Sequence, residues 1–273
     1  METQGIFDAN KKPFNGKIIR YPNGKAGEYS YIAADAWFGC SNDCTYCYLK
    51  KGVWKHLFTN PPHLKRGIRD NDHAFELFKN DVEKIGITTL KKYGIFLNFE
   101  SDPFLSETSW LTQKIVSFCA ENKITVKLLT KRANVFYDPD WKDYVAFGFT
   151  LTGHDELEPN ASTNSERIAS MKKLHDAGFK TWASIEPVID FKSTMNMVAH
   201  TYDICDLYKV GLLSGKNTLG VVDCKRLINN IIFMANQTYA KIYFKDSLLK
   251  SAGINREDLP NNCVGRDYDM FNK

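Results

Sequence analysis

Three of the chain's seven cysteines, Cys40, Cys44 and Cys47, fall in one short stretch, while Cys119, Cys205, Cys224 and Cys263 are scattered. Thiolates at this C-x3-C-x2-C spacing can point at a common centre. A disulfide framework fits poorly, because pairing within the trio leaves one thiol over and seven is an odd total. A structural zinc takes four protein ligands, so a fourth, such as His56, would have to be recruited from outside the trio. An iron–sulfur cubane is usually held by four cysteines. Three would leave one iron open to bind something else. An electron carrier has no use for an open iron, whereas a cluster that performs chemistry does. Spacing alone leaves both metals in play.

The segment Trp37-Phe38-Gly39-Cys40-Ser41-Asn42-Asp43-Cys44-Thr45-Tyr46-Cys47-Tyr48 resembles the signature of the radical S-adenosylmethionine (SAM) superfamily, C-x3-C-x-aromatic-C, with Tyr46 as the aromatic. Gly39 and Tyr48 resemble the spore photoproduct lyase-like branch in particular. The resemblance implies a [4Fe-4S] cluster on Cys40, Cys44 and Cys47, with SAM on the fourth iron. It implies one-electron cleavage of SAM to methionine and a 5′-deoxyadenosyl radical that abstracts hydrogen from a substrate. It also implies an external one-electron reductant such as flavodoxin or ferredoxin. In such enzymes the cofactor carries the hard chemistry and the protein orients it.

Further along, Ser101-Asp102-Pro103 with Glu107 resembles the S-D-P…E segment of that branch, and Thr130-Lys131 its T-K motif. Glu158-Pro159 with Arg167 resembles its E-P…R element, and Pro187 its fifth-strand proline. The resemblance covers roughly positions 35 to 190, and the cysteine motif is its most specific part. Carried over, it implies that Lys131 pairs with the methionyl carboxylate of SAM, as a charge-assisted contact. Ser101, Thr150 and Thr152 would bond the methionyl or ribose portion, Ser184 the ribose, and Tyr46 would pack near the adenine. The same hydroxyls are also of the type that caps helices. Glu186 stands where an apolar residue is expected; it would bind ribose hydroxyls or substrate, or pair with Arg132 or Arg167. Spore photoproduct lyase itself carries a hydrogen-donating cysteine two residues before the Ser of its S-D segment. Phe99 occupies that position here, so the branch is matched in architecture and not in substrate.

Such residues must be delivered by a scaffold. Apolar runs at 30–36, 95–99, 126–130, 146–151, 181–185, 207–210 and 241–244 read as strands. Amphipathic patterns at 109–120, 165–177, 194–202 and 221–235 read as helices. The alternation predicts a parallel sheet with crossover helices. About six units fit a partial (β/α)6 TIM-like barrel of parallel strands, the fold that the resemblance also implies. Its active site would lie at the strand C-terminal ends, where the polar tips Glu100-Ser101-Asp102, Thr130-Lys131-Arg132, Thr150-Leu151-Thr152 and Ser184-Ile185-Glu186 fall. One domain is expected over 29–250, with an N-terminal lead, 1–28, and a C-terminal tail, 251–273. Cys263, in that tail, is a candidate hydrogen-atom donor if the tail folds over the barrel mouth.

Composition supports a globular protein: 43% hydrophobic and 25% charged residues, with a formal net charge of +4. No apolar run approaches the length of a membrane span, and the first residues lack a signal-peptide pattern, so a cytoplasmic protein is expected. The stretch 44–69 contains no Asp or Glu but carries Lys50, Lys51, Lys55, Lys65, Arg66 and Arg69. Tyr46, Tyr48, Trp54, Phe58, His56 and His63 are interleaved. That pattern suits a nucleic acid or another anionic substrate, and equally a solvated face or a loop over the cysteines. The competing reading is a non-catalytic metal-binding module, with zinc or an iron–sulfur group on the cysteines and nucleic acid on the basic stretch.

Overall fold

The computed structural model describes residues 14–22, 27–51, 55–213 and 220–271. Ten strands are assigned: β1 (Ile19–Arg20), β2 (Ala33–Ala34), β3 (Trp37–Phe38), β4 (His63–Leu64), β5 (Ile95–Leu97), β6 (Val126–Thr130), β7 (Val145–Thr150), β8 (Lys180–Val188), β9 (Leu207–Leu212) and β10 (Lys241–Phe244). Eight form one sheet in the order β1-β2-β5-β6-β7-β8-β9-β10. From β2 to β10 every neighbour is parallel, and β1 pairs antiparallel at the edge. Strands β3 and β4 form a separate antiparallel pair. Helices α1 (Asn71–Ile85), α2 (Ile87–Tyr93), α3 (Ser109–Glu121), α4 (Asn164–Asp176), α5 (Phe191–Ala199), α6 (Val221–Ala235) and α7 (Asp246–Ala252) pack outside.

This is the expected partial TIM-like barrel, extended by one unit because 241–244 joins the sheet as a further parallel strand. Sequence reading placed the main strands within a few residues. It overextended the first, which pairs only at Ala33 and Ala34 before the chain turns toward the cysteines. It missed α1, α2 and α7, and the crossover from β6 to β7 holds only the short 3-10 turn Pro139–Trp141.

The barrel follows from strand alternation. On β8, Ala183 and Ile185 face the helices while Trp182 faces the lumen, where it packs with Phe96, Ala146, Leu207 and Tyr243. The helices cover the outer face with apolar stripes such as Met171 and Leu174 of α4. That helix starts in a capping box, with Thr163 and Glu166 each satisfying the other's backbone N–H.

The first and the last described segments are built into the barrel. Ile18 and Ile19 are buried, and their N–H groups donate to the buried carboxylate of Asp81 at 2.7 and 3.0 Å. At the other end, residues 262–264 run beside β10. Val264, Tyr268, Met270 and Phe271 then pack into the lower lumen with Ala146 and Leu207. Residues 28 and 29 are fastened to β9 and β10. Lys209 Nζ donates to the carbonyls of Glu28 and Tyr29 at 3.0 and 3.1 Å, and Tyr243 Oη donates to Glu28 Oε1 at 3.1 Å.

The lumen has no slack at β7. A Cβ on Gly148 would lie 2.1 Å from Trp182 Cε2. Gly148→Ala is expected to destabilise the protein by about 1–3 kcal/mol through overpacking, read as a lower urea midpoint; an unchanged midpoint would mean that Trp182 can move aside.

Candidate active site

The loop after β3 is fixed before the cysteines begin. Gly39 adopts φ +94°, and a Cβ there would lie 2.3 Å from Thr59 O. Its N–H donates to Glu100 O at 3.0 Å, and Cys40 N–H donates to Thr59 O at 3.1 Å. Thr45 N–H reaches Leu157 O at 2.9 Å. The buried Asp102 carboxylate joins three elements. It accepts from Asn42 Nδ2 of the cysteine loop at 2.8 Å, from Thr130 Oγ1 at 2.7 Å, and from the Lys131 N–H at 2.9 Å.

The cysteines open onto a cavity of about 280 Å³ at the C-terminal ends of the strands. Its lining includes Cys40, Cys44, Cys47, Tyr46, Ser101, Lys131, Thr150, Ser184 and Glu186. The sequence-predicted residues thus converge, with two exceptions. Thr152 is buried outside the lining, and its Oγ1 accepts from the His154 N–H at 3.2 Å; it caps a turn. Cys263 lies beside β10, packed against the outer core, with burial pushing its thiol up to about 11. The tail fills the lower lumen instead of covering the mouth, so this thiol is not brought to the cavity.

Burial, followed by the proximity of Asp102, pushes the Cys40 thiol up to about 12, and burial raises Cys44 as well. Among the described residues, no three His, Cys, Asp or Glu side chains converge as they would around a single metal ion. His56 is exposed and does not line the cavity. A cubane gives each thiolate its own iron, so its ligands need not meet at one point. Two further groups suit a polar cofactor. Ser101 Oγ is buried without a hydrogen-bond partner, a costly state unless a ligand satisfies it. Lys131, over the Tyr46 ring at 5.6 Å, makes no ion pair among the described residues. Burial opposes its charge, but Cys44 and Glu158 outweigh burial and raise its pKa.

Tyr46 is held from behind. Its hydroxyl donates to Glu158, and Glu158 pairs with Arg167 in a bridge whose side chains are both inaccessible. Arg167 Nη1 also donates to Thr150 O at 2.6 Å. The E-P…R element is therefore a buried strut behind the cysteine loop, and Arg167 is not free for Glu186.

Glu186 pairs instead with Lys245, at 2.6 Å, and accepts from Tyr29 Oη. Tyr29 Oη also lies 2.9 Å from Ser184 Oγ. Burial and then Glu186 hold the Tyr29 phenol well above its usual range. Below them Lys209 is held well under the usual lysine range, by burial and by Lys127 and Lys245. Gly211 makes room for this cluster, since a Cβ there would lie 2.7 Å from Lys245 Cδ and 3.2 Å from Glu186. Sequence reading missed Tyr29, Lys209 and Lys245. The polar-tip rule would have found Lys245 had it been applied beyond the fifth strand, and the charge inside Leu-Tyr-Lys-Val marked Lys209. Phe99 stacks on Phe96 at 4.0 Å and meets Tyr29 edge-on at 5.6 Å.

No family model matches the chain. An uncharacterized protein of Methanocaldococcus jannaschii is 25% identical over 227 residues, a match that takes in 76% of each chain. Among solved structures, a mutant spore photoproduct lyase with bound AdoMet and dinucleoside spore photoproduct superposes with a TM-score of 0.56 at 15% identity. That match covers 80% of this chain and 64% of the other. SuiB of Streptococcus suis, bound to S-adenosylmethionine, gives a TM-score of 0.54 at 14% identity, over 84% of this chain and 51% of the other. The chain thus spans less than two thirds of these structures' length, and what it shares with them is the fold.

Two outcomes follow from the geometry. Arg167→Leu strands the Glu158 carboxylate in the interior and should cost about 3–5 kcal/mol, measured by chemical denaturation; a loss below 1 kcal/mol would show that Glu158 finds water. His154 Nε2 lies 2.6 Å from Asp190 and Nδ1 2.6 Å from Glu156. Slight burial opposes its charge, but hydrogen bonds to Glu156 and Asp190 prevail and raise its pKa above 6.5. Its folded pKa exceeds its unfolded one, so its contribution is fully present below about 6.5 and fades as pH climbs through the folded value. His154→Gln should flatten the fall in melting temperature just above that pH, and an identical profile in both proteins would refute the coupling.

Proposed function

We propose that this chain is a radical SAM enzyme in which Cys40, Cys44 and Cys47 hold a [4Fe-4S] cluster and the tips of β5 to β8 hold SAM. The observation that carries the reading is the shared cavity, in which a three-cysteine loop faces an ion-pair-free lysine and a buried, unsatisfied serine hydroxyl. When bound, the cluster and SAM supply a 5′-deoxyadenosyl radical that takes a hydrogen atom from substrate. The chain's own residues bind and shield. Lys131 is placed to neutralise a carboxylate and Ser101 to donate to it. Thr150 and Ser184 sit farther round the same wall. Tyr46, pinned by the Glu158–Arg167 strut, keeps a fixed ring face toward the cofactor.

The substrate would meet the part of the same cavity lined by Tyr29, Glu186, Leu212, Leu213 and Lys245. That part offers a carboxylate, an ammonium and a phenol to a polar ligand. The sulfur-free Phe99 means that any hydrogen returned to product comes from a group other than a thiol at that position. An external one-electron donor completes the cycle.

Anaerobic reconstitution with iron and sulfide, followed by dithionite and SAM, should give about four irons per chain and 5′-deoxyadenosine from the wild type. Cys44→Ala should give neither. A loaded wild type that yields no more product than Cys44→Ala would reject the proposal. Lys131→Ala should weaken SAM binding about tenfold or more, as expected for a lost charge-assisted bond, while leaving iron content intact; unchanged affinity would remove Lys131 from the site.

A further inference from the structure

A radical SAM reading requires one electron from outside, and the structure marks a face on which the donor could sit. Of the six cations in the acid-free stretch, Lys50 is neutralised by Asp43, and Lys65 by Glu100 at 2.6 Å. Lys51, Lys55, Arg66 and Arg69 are exposed and make no ion pair among the described residues.

The face borders the cysteine loop on two sides. Lys51 follows Cys47 after the single 3-10 turn Tyr48–Lys50. Arg66 and Arg69 follow β4, which pairs with the β3 strand that leads into Cys40. The Lys65 N–H is tied to Ala36 O at 2.9 Å. Both arms are thus clamped to the backbone that holds the thiols.

The aromatic residues of the stretch decide between partners. A single-stranded nucleic acid needs outward-facing rings on which to stack bases, alongside the cations. Here Tyr46 is tied to Glu158 and Phe58 lies under Lys50 at 5.4 Å, both lining the cavity; Tyr48 is 51% exposed, and its hydroxyl donates to Phe99 O at 2.5 Å, which leaves it as the one outward ring among these three. Trp54 lies outside the described residues. The described outer face offers charge with few stacking platforms, which suits an acidic protein surface steered in by its potential.

We propose that Lys51, Lys55, Arg66 and Arg69 form the docking face for a small acidic one-electron carrier protein of the flavodoxin or ferredoxin kind. The proposal rests on the function proposed above. One electron passes from the reduced carrier to the site held by the three cysteines; the carrier is oxidised by one electron, the site is reduced by one, and no atom is transferred.

The test uses the full, reconstituted chain and a purified flavodoxin in two arms. In the first, binding is titrated at about 20 mM and about 300 mM salt, a range across which screening changes strongly. Binding should weaken at least tenfold with salt, and at least tenfold at low salt in K51E/K55E and in R66E/R69E, with K51Q/K55Q and R66Q/R69Q in between. In the second, 5′-deoxyadenosine is formed with either flavodoxin hydroquinone or dithionite. The charge reversals should slow only the flavodoxin-driven reaction. Binding indifferent to both reversals would overturn the proposal. So would reversals that abolish binding of a single-stranded oligonucleotide while sparing flavodoxin, which would assign the face to nucleic acid. Absence of product with dithionite in the wild type would strike the proposed function instead, and the binding arm would still decide the docking face.

Discussion

The Asp102 carboxylate is the junction on which the site depends. With two oxygens it holds the Asn42 amide, the Thr130 hydroxyl and the Lys131 N–H, and it also caps the turn to Phe104 at 3.0 Å. These groups belong to the cysteine loop, the tip of β6 and the exit of β5. A charged acceptor buried this deeply is tolerated because each lone pair meets a donor. The loop that carries the thiols has little regular structure of its own, so its shape is borrowed from the barrel through that carboxylate. A second strut, Tyr46–Glu158–Arg167, ties the loop to β7 and α4. Together they fix the loop that carries the three thiols, which is the pre-organisation that the proposed cluster site would need.

The part of the cavity around Tyr29, Glu186 and Lys245 follows a different logic. Glu28, Glu186, Lys209 and Lys245 are carried inside a lumen that also holds Trp182, Phe96 and Tyr243. Charges in such surroundings cannot be left alone, and each has its partner: Lys245 with Glu186, Glu28 with Tyr243, Lys209 with two backbone carbonyls. The arrangement needs a glycine at 211 for space and a tyrosine at 29 as the link to Ser184. These contacts also fasten Glu28 and Tyr29 to β8, β9 and β10.

Much of this was legible before the fold was seen. The cysteine spacing is a local signal, and so are the apolar runs of β6 to β9, because each is contiguous in sequence. Polar residues at strand tips were legible by position. The partners of those residues were not, because they depend on contacts between distant parts of the chain. Glu186 could be assigned to Arg132 or Arg167 on paper, yet Arg167 is consumed by Glu158 nine positions earlier and Glu186 meets Lys245, far downstream. The outermost described segments escaped for a related reason. Short strands such as Ile19–Arg20 carry almost no periodicity, and nothing local to the tail says whether it folds over the barrel mouth or, as Met270 and Phe271 do, into the lumen.

That inward tail has a consequence for traffic. With Val264, Tyr268, Met270 and Phe271 packed into the base of the lumen, the described residues close the chamber from below and leave its opening on the cysteine side. On the function proposed above, substrate and SAM would share that doorway, so their entry and exit would be ordered.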